Sequence, residues 1–147
     1  MPYEFKATRR VEFSETDMAG IMHYSNFFRF METAEHGFYR SLGFSVVLEK
    51  HDPPLGFPRV HAECDFKKPL RFEDLVEIHL LVREKTKKSI SYGFRFRNLS
   101  ASPAAEVARG IVTIVCVALQ ADGKMAAVPI PSDIADKIEV APAALLV

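Results

Sequence analysis

A carboxylate stands in a short glycine-containing segment just before a predicted helix. The segment runs from Asp17 through Gly20 and His23 to Tyr24 and Ser25. The first turn of a helix has backbone N–H groups without intrahelical partners, and these can bind a developing oxyanion. A carboxylate beside such a site suits acyl transfer, either by direct attack on a carbonyl or by activation of water. Gly20 would let the loop backbone come close to a ligand.

Each of these residues also has a purely structural interpretation. Asp17 can form an Asx turn, and His23 can be a hydrogen-bonded loop residue. Glu32 and Glu35, farther along the predicted helix, can belong to a solvated helix face. Taken singly, none of these side chains identifies an enzyme.

Hydrophobic periodicity predicts the elements that position these residues. Apolar residues recur at spacings of three and four over residues 26–42, which predicts a helix with Ser25 as its N-cap and Gly43 at its end. The residues of this apolar stripe are Phe27, Met31, Ala34, Phe38 and Leu42. Alternation of period two predicts a strand over residues 3–13, before the helix.

The same alternation continues through the second part of the chain. It predicts strands at residues 59–67, 75–84, 89–97 and 107–119, followed by an Asp122-Gly123 hairpin and a short strand near 125–128. The apolar face of the strand at 59–67 carries Val60, Ala62, Cys64 and Phe66, and the inward face of the strand at 89–97 carries Ile90, Tyr92, Phe94 and Phe96. Consecutive strands with short connections are antiparallel. We therefore expect an α+β fold in which one antiparallel sheet of five to six strands wraps around a long central helix.

Composition excludes several classes of protein. The 147 residues suit a single domain over 1–147, with 48% hydrophobic and 26% charged residues. Lys+Arg and Asp+Glu both number 19, so no global field would attract nucleic acid or an anionic membrane. No apolar run approaches the ~20 residues of a membrane span, and the charged N-terminal segment is unlike a secretory signal. We expect a cytoplasmic protein that binds neither nucleic acid nor membranes.

The two cysteines give no sign of a metal or redox motif. Cys64 and Cys116 lie in apolar, strand-like runs without a CxxC pattern. We expect free thiols in a chain of this size, with a disulfide between them as the alternative.

A dense motif runs from Val11 to Gly43. Its residues are Glu15-Thr16-Asp17, Gly20, His23-Tyr24, Asn26-Phe27-Phe28, Met31-Glu32, Ala34-Glu35 and Arg40-Ser41-Leu42-Gly43. With these residues the segment resembles the 4-hydroxybenzoyl-CoA thioesterase family of hot-dog proteins. The predicted order of the later strands agrees with that family over nearly the whole chain.

The resemblance implies hydrolysis of an acyl-CoA thioester, with an aryl or a short to medium acyl group. It implies that Asp17 is the catalytic carboxylate and that the backbone N–H of Tyr24 polarises the thioester carbonyl. His23 matches a position at which family members differ. Glu32 is the fallback carboxylate, because another hot-dog branch carries its carboxylate on the helix. Gly20, Asn26 and Glu32 are assigned to substrate binding, and no metal or redox cofactor is needed since CoA is part of the substrate.

A cluster of basic residues offers a place for the phosphates of CoA. Arg83, Lys85, Lys87 and Lys88 surround the predicted turn between two strands, opposed only by Glu84. A solvated basic turn is the alternative interpretation. Because the corresponding turn in the family contacts the nucleotide end of CoA, the choice falls on three neighbouring residues: Lys87, Lys88 and Ser89.

Two other functions remain open at this point. A hot-dog hydratase or dehydratase would use a His/Asp pair, for which His23 and Asp17 are available. A non-catalytic acyl-CoA-binding module would have the same fold without needing Asp17. In each case the resemblance implies at least a dimer, more often a tetramer, with sheets paired edge to edge and sites at the subunit interface.

Overall fold

The computed structural model describes residues 2–48 and 50–147, and two helices and eight strands lie in this part of the chain. In chain order these are β1 (Glu4–Arg10), α1 (Ser25–Ser41), β2 (Leu55–Gly56), β3 (Arg59–Phe66), β4 (Leu75–Lys85), β5 (Ser89–Asn98), β6 (Ala105–Val115), β7 (Val117–Leu119), β8 (Met125–Ala127) and α2 (Ser132–Ala135). Neither helix is long and apolar enough to cross a membrane within the described residues. The α+β class expected from the sequence is confirmed.

The strands form two antiparallel sheets rather than one. Five strands form the main sheet in the order β1-β4-β5-β6-β3, and a three-stranded sheet has the order β2-β7-β8. The strand predicted over 107–119 is divided at Cys116, whose N–H donates to the carbonyl of Lys88 at 2.7 Å. The chain leaves the main sheet at this residue, so β7 pairs with β2 and β8 instead. Cys64 and Cys116 are free thiols, as expected.

Helix α1 packs its apolar stripe on the inner face of the main sheet. Phe27, Met31, Ala34 and Phe38 are buried, and so are the alternate residues Ile90, Tyr92, Phe94 and Phe96 of β5, which the sequence assigned to the core. The helix begins one residue earlier than predicted, because Tyr24 occupies the N-cap position and Ser25 is already helical. Gly43, with φ +92°, follows the helix.

Close contact between helix and sheet depends on Gly110 of β6. A Cβ atom at this position would lie 2.1 Å from Cε of Met31 and 3.1 Å from the carbonyl oxygen of Glu63. The sheet can therefore approach α1 at this point only because residue 110 has no side chain.

Edge strand β3 is less covered than its alternation predicted. Val60 is 61% exposed and Phe66 is 49% exposed, because β3 pairs with β6 on one side and, among residues 2–48 and 50–147, has no strand on its other side. Phe13 belongs to the apolar face of the strand predicted over residues 3–13, yet it is 76% exposed. Strand β1 ends at Arg10, and residues Phe13–Glu15 form a 3-10 turn that carries Phe13 outward.

Candidate active site

The loop that holds Asp17 is closed by main-chain hydrogen bonds. The N–H of Asp17 donates to the carbonyl of Ile21 and the N–H of Gly20 donates to the carbonyl of Asp17, each at 2.9 Å. Thr16 and Met22 form a β-bridge across the base of the loop. Gly20 adopts φ +78°, a conformation that favours glycine, so this residue serves the turn itself.

One oxygen of the Asp17 carboxylate belongs to the loop and the other does not. Oδ1 accepts a hydrogen bond from the N–H of Ala19 at 2.9 Å, which is the Asx turn considered as the structural alternative. Oδ2 accepts no hydrogen bond from the described residues. The two interpretations of Asp17 are therefore compatible, since the turn orients the carboxylate and leaves one oxygen available for chemistry.

A buried glutamate ties this loop to the sheet and to the helix. Glu15 accepts hydrogen bonds from the Arg9 guanidinium at 3.0 Å and from the N–H of Glu12 at 2.8 Å. Its carbonyl oxygen accepts from the N–H of His23 and from the side-chain amide of Asn26, both at 2.9 Å. Asn26 thus joins the loop to α1 and has its amide occupied, although the sequence assigned it to substrate binding.

The start of α1 presents a free backbone donor. The N–H of Ser25 donates to Nδ1 of His23 at 3.2 Å, and the N–H groups of Asn26 and Phe27 donate to the carbonyls of His23 and Tyr24. In the described part of the chain, the N–H of Tyr24 has no acceptor. It is therefore the donor at this helix end that remains available to an oxyanion.

His23 makes local contacts at the helix start. Its Nδ1 lies 2.8 Å from the hydroxyl oxygen of Ser25, and its ring stacks on that of Tyr24 with centroids 4.5 Å apart. Across residues 2–48 and 50–147, no hydrogen bond joins His23 to Asp17. The arrangement suits a residue that orders the helix terminus.

Asp17 and Tyr24 open into one groove with a volume of about 430 Å³. Its other lining residues are Ile21, Met22, Phe27, Phe66, Lys67, Lys68, Pro69 and Leu70. Pockets of this size with apolar walls and a few polar groups are typical of small-molecule sites. The structure therefore brings together the carboxylate and the free helix amide that were selected from the sequence. Lys67 and Lys68 were missed, although the Lys-Lys-Pro run was visible.

The remaining predicted residues lie elsewhere. Glu32 is exposed two turns into α1, outside the groove. Lys87, Lys88 and Ser89 lie at the turn between β4 and β5, where Thr86 and Ser89 share a hydroxyl hydrogen bond of 2.6 Å. That turn follows the last residue of β4, whereas the Asp17 loop lies near its first residue. The N–H of Val11, which precedes the loop, donates to the carbonyl oxygen of Asp74, the residue just before β4.

Sequence reasoning also missed a buried ion pair between α1 and β3, outside the groove. Glu35 is 1% exposed and accepts a hydrogen bond of 2.5 Å from Arg59 of β3. Burial raises the pKa of Glu35 to about 7, although the Arg59 guanidinium opposes the shift. Within the described residues, no group of three His, Cys, Asp or Glu side chains could hold a metal ion.

Comparison with known proteins identifies the family. The family model of the thioesterase-like superfamily matches residues 11–138, from the start of the Asp17 loop to beyond α2. The chain belongs to this superfamily. The resemblance to 4-hydroxybenzoyl-CoA thioesterases found in residues 11–43 is thereby confirmed.

Two curated proteins are similar to the chain over about 60% of its length. A putative esterase of Aquifex aeolicus is 38% identical over 94 residues, which are 64% of this chain and 71% of that protein. A 1,4-dihydroxy-2-naphthoyl-CoA hydrolase of Prochlorococcus marinus is 32% identical over 60% of this chain and 64% of its own length. The alignments thus span about two thirds of these curated relatives.

Solved thioesterase structures share the fold. A gentisyl-coenzyme A thioesterase is 34% identical, with a TM-score of 0.77 over 91% of this chain and 99% of that chain. The 4-hydroxybenzoyl-CoA thioesterase of Pseudomonas sp. strain CBS-3 is 20% identical, with a TM-score of 0.81 over 92% and 99% of the two chains. At 20% identity the Pseudomonas enzyme shows the fold alone. The two structures together confirm the hot-dog thioesterase fold with its antiparallel sheet.

Proposed function

We propose that this protein is a cytoplasmic acyl-CoA thioesterase, a single domain over residues 1–147 built around the long helix α1. It hydrolyses a CoA thioester with an aryl or a short to medium acyl group to the free acid and CoA. The observation that carries the proposal is the shared groove of Asp17 and the free N–H of Tyr24. The CoA hydrolase and thioesterase names of the relatives agree with it.

The chemistry assigns one task to each group. Asp17 either attacks the thioester carbonyl, forming a mixed anhydride that water then hydrolyses, or takes a proton from the water that attacks. In both routes the carbon–sulfur bond breaks and the CoA sulfur leaves with a proton from solvent. The N–H of Tyr24 stabilises the negative charge that develops on the carbonyl oxygen. His23, Gly20 and Asn26 support the loop and helix start that hold these two groups.

A second copy of the chain completes the substrate site. Strand β4 has 11 residues, which at ~3.3 Å per residue separates the Asp17 end from the Lys87-Lys88 turn by roughly 35 Å. A CoA molecule whose thioester lies at Asp17 would have to span this whole distance to reach the basic turn of the same chain. Antiparallel pairing of β3 with β3 of a second copy would bring that copy's basic turn toward Asp17, where Lys87, Lys88 and Ser89 receive the phosphates.

The exposed edge of β3 supports this pairing. Its backbone groups have no strand partner on the outer side within the described part of the chain, and Val60 and Phe66 expose apolar surface there. We therefore expect a dimer as the minimal active unit, and a tetramer when two dimers associate. Light scattering at micromolar concentration checks the assembly, and a monomer mass would contradict it.

Substitution of Asp17 by asparagine tests the mechanism. Asparagine keeps the size of the side chain and can accept the Ala19 hydrogen bond, but it has no negative charge and little basicity. We expect kcat to fall at least ~10²-fold, the low end of general-base contributions, with little change in KM. Hydrolysis of a panel of aryl, short-chain and long-chain CoA esters provides the assay.

Asp122 offers a matched control for this experiment. Its Oδ1 accepts the N–H of Lys124 at 2.9 Å in the β7–β8 hairpin, the same type of turn that Asp17 makes. Asp122→Asn should therefore have a similar small effect on melting temperature and none on turnover. If Asp17→Asn folded normally and kept near-normal turnover, the proposed role would be wrong and Glu32 would be tested next.

A further inference from the structure

Strand β3 carries a histidine and a glutamate that contact each other on its outer face. Nε2 of His61 lies 2.8 Å from Oε1 of Glu63, and both side chains are about half exposed. Phe66 of the same strand contacts Phe27 of α1. Because side chains alternate along a strand, His61 and Glu63 lie on the face of the sheet that points away from the helix. Imidazole and carboxylate groups are both ligands of divalent transition metals.

One chain supplies only two of the ligands that such a metal needs. Structural Zn²⁺ sites are almost always four-coordinate and tetrahedral. Among residues 2–48 and 50–147, no third His, Cys, Asp or Glu side chain completes a metal site with this pair. Two further ligands must therefore come from another chain.

The charges along β3 select the register in which a second copy pairs with this edge. The regular part of the strand begins at His61, because its pairing with β6 shifts between Arg59 and His61. A two-fold axis at Glu63 would place this residue opposite itself, and an axis at Cys64 would place Glu63 opposite Asp65. Like charges directly opposite each other destabilise a sheet. Both registers are therefore disfavoured.

A two-fold axis at Ala62 avoids this repulsion. It places His61 of each copy opposite Glu63 of the other, whereas an axis at His61 would pair only one residue of the regular part of the strand. Side chains that lie opposite each other have Cβ atoms about 4.5–5.5 Å apart, and diagonal neighbours about 7–8 Å. Two imidazoles and two carboxylates therefore meet on the outer face at the axis. We call this group, His61 and Glu63 of both copies, the seam cluster.

The seam cluster fits a tetrahedral divalent ion in number, charge and distance. Two neutral imidazoles and two carboxylates supply four ligand atoms and two negative charges, which balance the charge of the ion. Metal–ligand bonds of ~2.0–2.2 Å at tetrahedral angles place two ligand atoms about 3.4 Å apart. Nε2 of His61 and Oε1 of Glu63, now 2.8 Å apart, need to separate by only about 0.6 Å to reach this spacing.

The arginine on the neighbouring strand has acidic partners of its own. Arg109 of β6 lies opposite Asp65, diagonal to Glu63. Its Nε donates to Oε1 of Glu106 at 2.9 Å. The charge of Arg109 is thus largely balanced without Glu63, which remains available to a metal ion.

We propose that two copies of this chain bind one Zn²⁺ ion, or a similar divalent transition metal, at the seam cluster. The ion joins the two β3 strands on the face of the sheet opposite to α1 and takes no part in thioester hydrolysis. This inference rests on the strand pairing that completes the proposed thioesterase site. Because the ligands come from both copies, metal binding and dimer formation are thermodynamically linked.

Calorimetric titration of Zn²⁺ into metal-free, untagged protein tests the site. We expect one ion for every two chains. His61→Gln and Glu63→Gln should each weaken binding at least ~100-fold, because even changes outside the ligand shell cost roughly 10–100-fold in metal affinity. Protein loaded with Co²⁺ should show the strong visible absorption of four-coordinate cobalt, and both variants should lose it.

A second His–Glu pair of the same sheet provides a matched control. Nε2 of His79 lies 2.7 Å from Oε2 of Glu4, between β4 and β1 at the other side of the sheet. His79→Gln should therefore keep the wild-type affinity and stoichiometry. Equal loss of Zn²⁺ binding in His79→Gln would overturn the inference. Val60→Lys, which opposes strand pairing but retains both ligands, should bind Zn²⁺ only weakly.

Sedimentation equilibrium measures the linkage between metal and assembly. Free Zn²⁺ at 100 times its Kd for the dimer should lower the dissociation constant of the dimer about 100-fold, and a chelator should reverse the effect. In His61→Gln and Glu63→Gln, Zn²⁺ should leave this dissociation constant unchanged. A Zn²⁺ effect of equal size in these variants would refute the seam cluster.

Thioester hydrolysis in the same samples separates failure of this inference from failure of the proposed function. A dimer that hydrolyses CoA thioesters without binding Zn²⁺, or that binds one ion for each chain, overturns the metal site while the proposed function stands. One ion for two chains, dependent on His61 and Glu63, supports the site even if no thioester is hydrolysed. A protein that stays monomeric with Zn²⁺ overturns both the strand pairing and the metal site.

Discussion

Replacement of Glu35 by glutamine should change how the stability of the protein depends on pH. The carboxyl group is buried beside Arg59, and burial raises its pKa from 4.5 to about 7. Glutamine has nearly the same shape and still accepts a hydrogen bond from Arg59, but it does not titrate. The comparison therefore isolates the free energy that is linked to protonation of one side chain.

The direction of this pH dependence follows because the folded protein binds the Glu35 proton more tightly than the unfolded chain does. Between pH 4.5 and 7 the folded protein holds a proton on Glu35 that the unfolded chain releases, so stability decreases as pH rises. The contribution is fully present below pH 4.5 and is lost as pH rises through 7. At 1.36 kcal/mol for each pKa unit, the shift corresponds to about 3 kcal/mol. For a chain of this length that is roughly 6–12 °C in melting temperature.

Urea unfolding of both proteins at pH 4.5 to 8 provides the assay, at one fixed protein concentration because association affects stability. The free energy of unfolding of the wild type should fall by about 3 kcal/mol relative to Glu35→Gln across this range. His36, whose pKa is lowered mainly by burial, titrates in both proteins and cancels in the difference. Glu77→Gln controls for loss of one charge. Parallel stability curves for wild type and Glu35→Gln would refute the reasoning.

Three further predictions follow from the fold and the proposed site. The double variant Lys87→Ala/Lys88→Ala should raise KM far more than it lowers kcat, because phosphate contacts stabilise the bound substrate and the transition state equally; the rise in KM should be smaller at high salt. An unchanged KM would show that these lysines form a solvated turn without a role in CoA binding. Gly110→Ala should cost ~1–3 kcal/mol in urea unfolding, because the new Cβ meets Met31, and a neutral result would show that Met31 moves freely. Val60→Lys should give a folded monomer with little activity by light scattering and assay, since a lysine on the exposed edge opposes strand pairing, whereas an active monomer would contradict the shared site.

Local patterns predicted most of the fold. The alternation in β5 correctly placed Ile90, Tyr92, Phe94 and Phe96 in the core, because a central strand is covered on its inner face whatever its neighbours. The same alternation in β3 was misleading for Val60 and Phe66. Period two shows which side chains share a face, but it does not show that the helix leaves the edge strand partly uncovered. The break at Cys116 was also missed, since apolar residues continue through it.

The residues of the candidate site were likewise predicted only in part. The Asp17 loop and the helix start are contiguous in sequence, so their joint position in one groove could be predicted from short-range structure. Glu35 and Arg59 are 24 residues apart and meet only after the helix packs on the sheet. On a helical pattern Glu35 resembles a surface residue, and nothing local indicates that it is buried.

The strand order of the main sheet also constrains how the chain folds during synthesis. Strand β1 lies at the edge of the main sheet as described, where its neighbour is β4 and Glu4 lies opposite Leu81. At ribosomal rates of about 5–20 residues per second, β4 is completed roughly 4–15 s after β1. Helix α1 needs only local contacts and can form during this interval, whereas the apolar face of β1 must wait for its neighbour. Nascent chains that stop before residue 75 therefore expose an unpaired strand, and these are the species on which a chaperone would act.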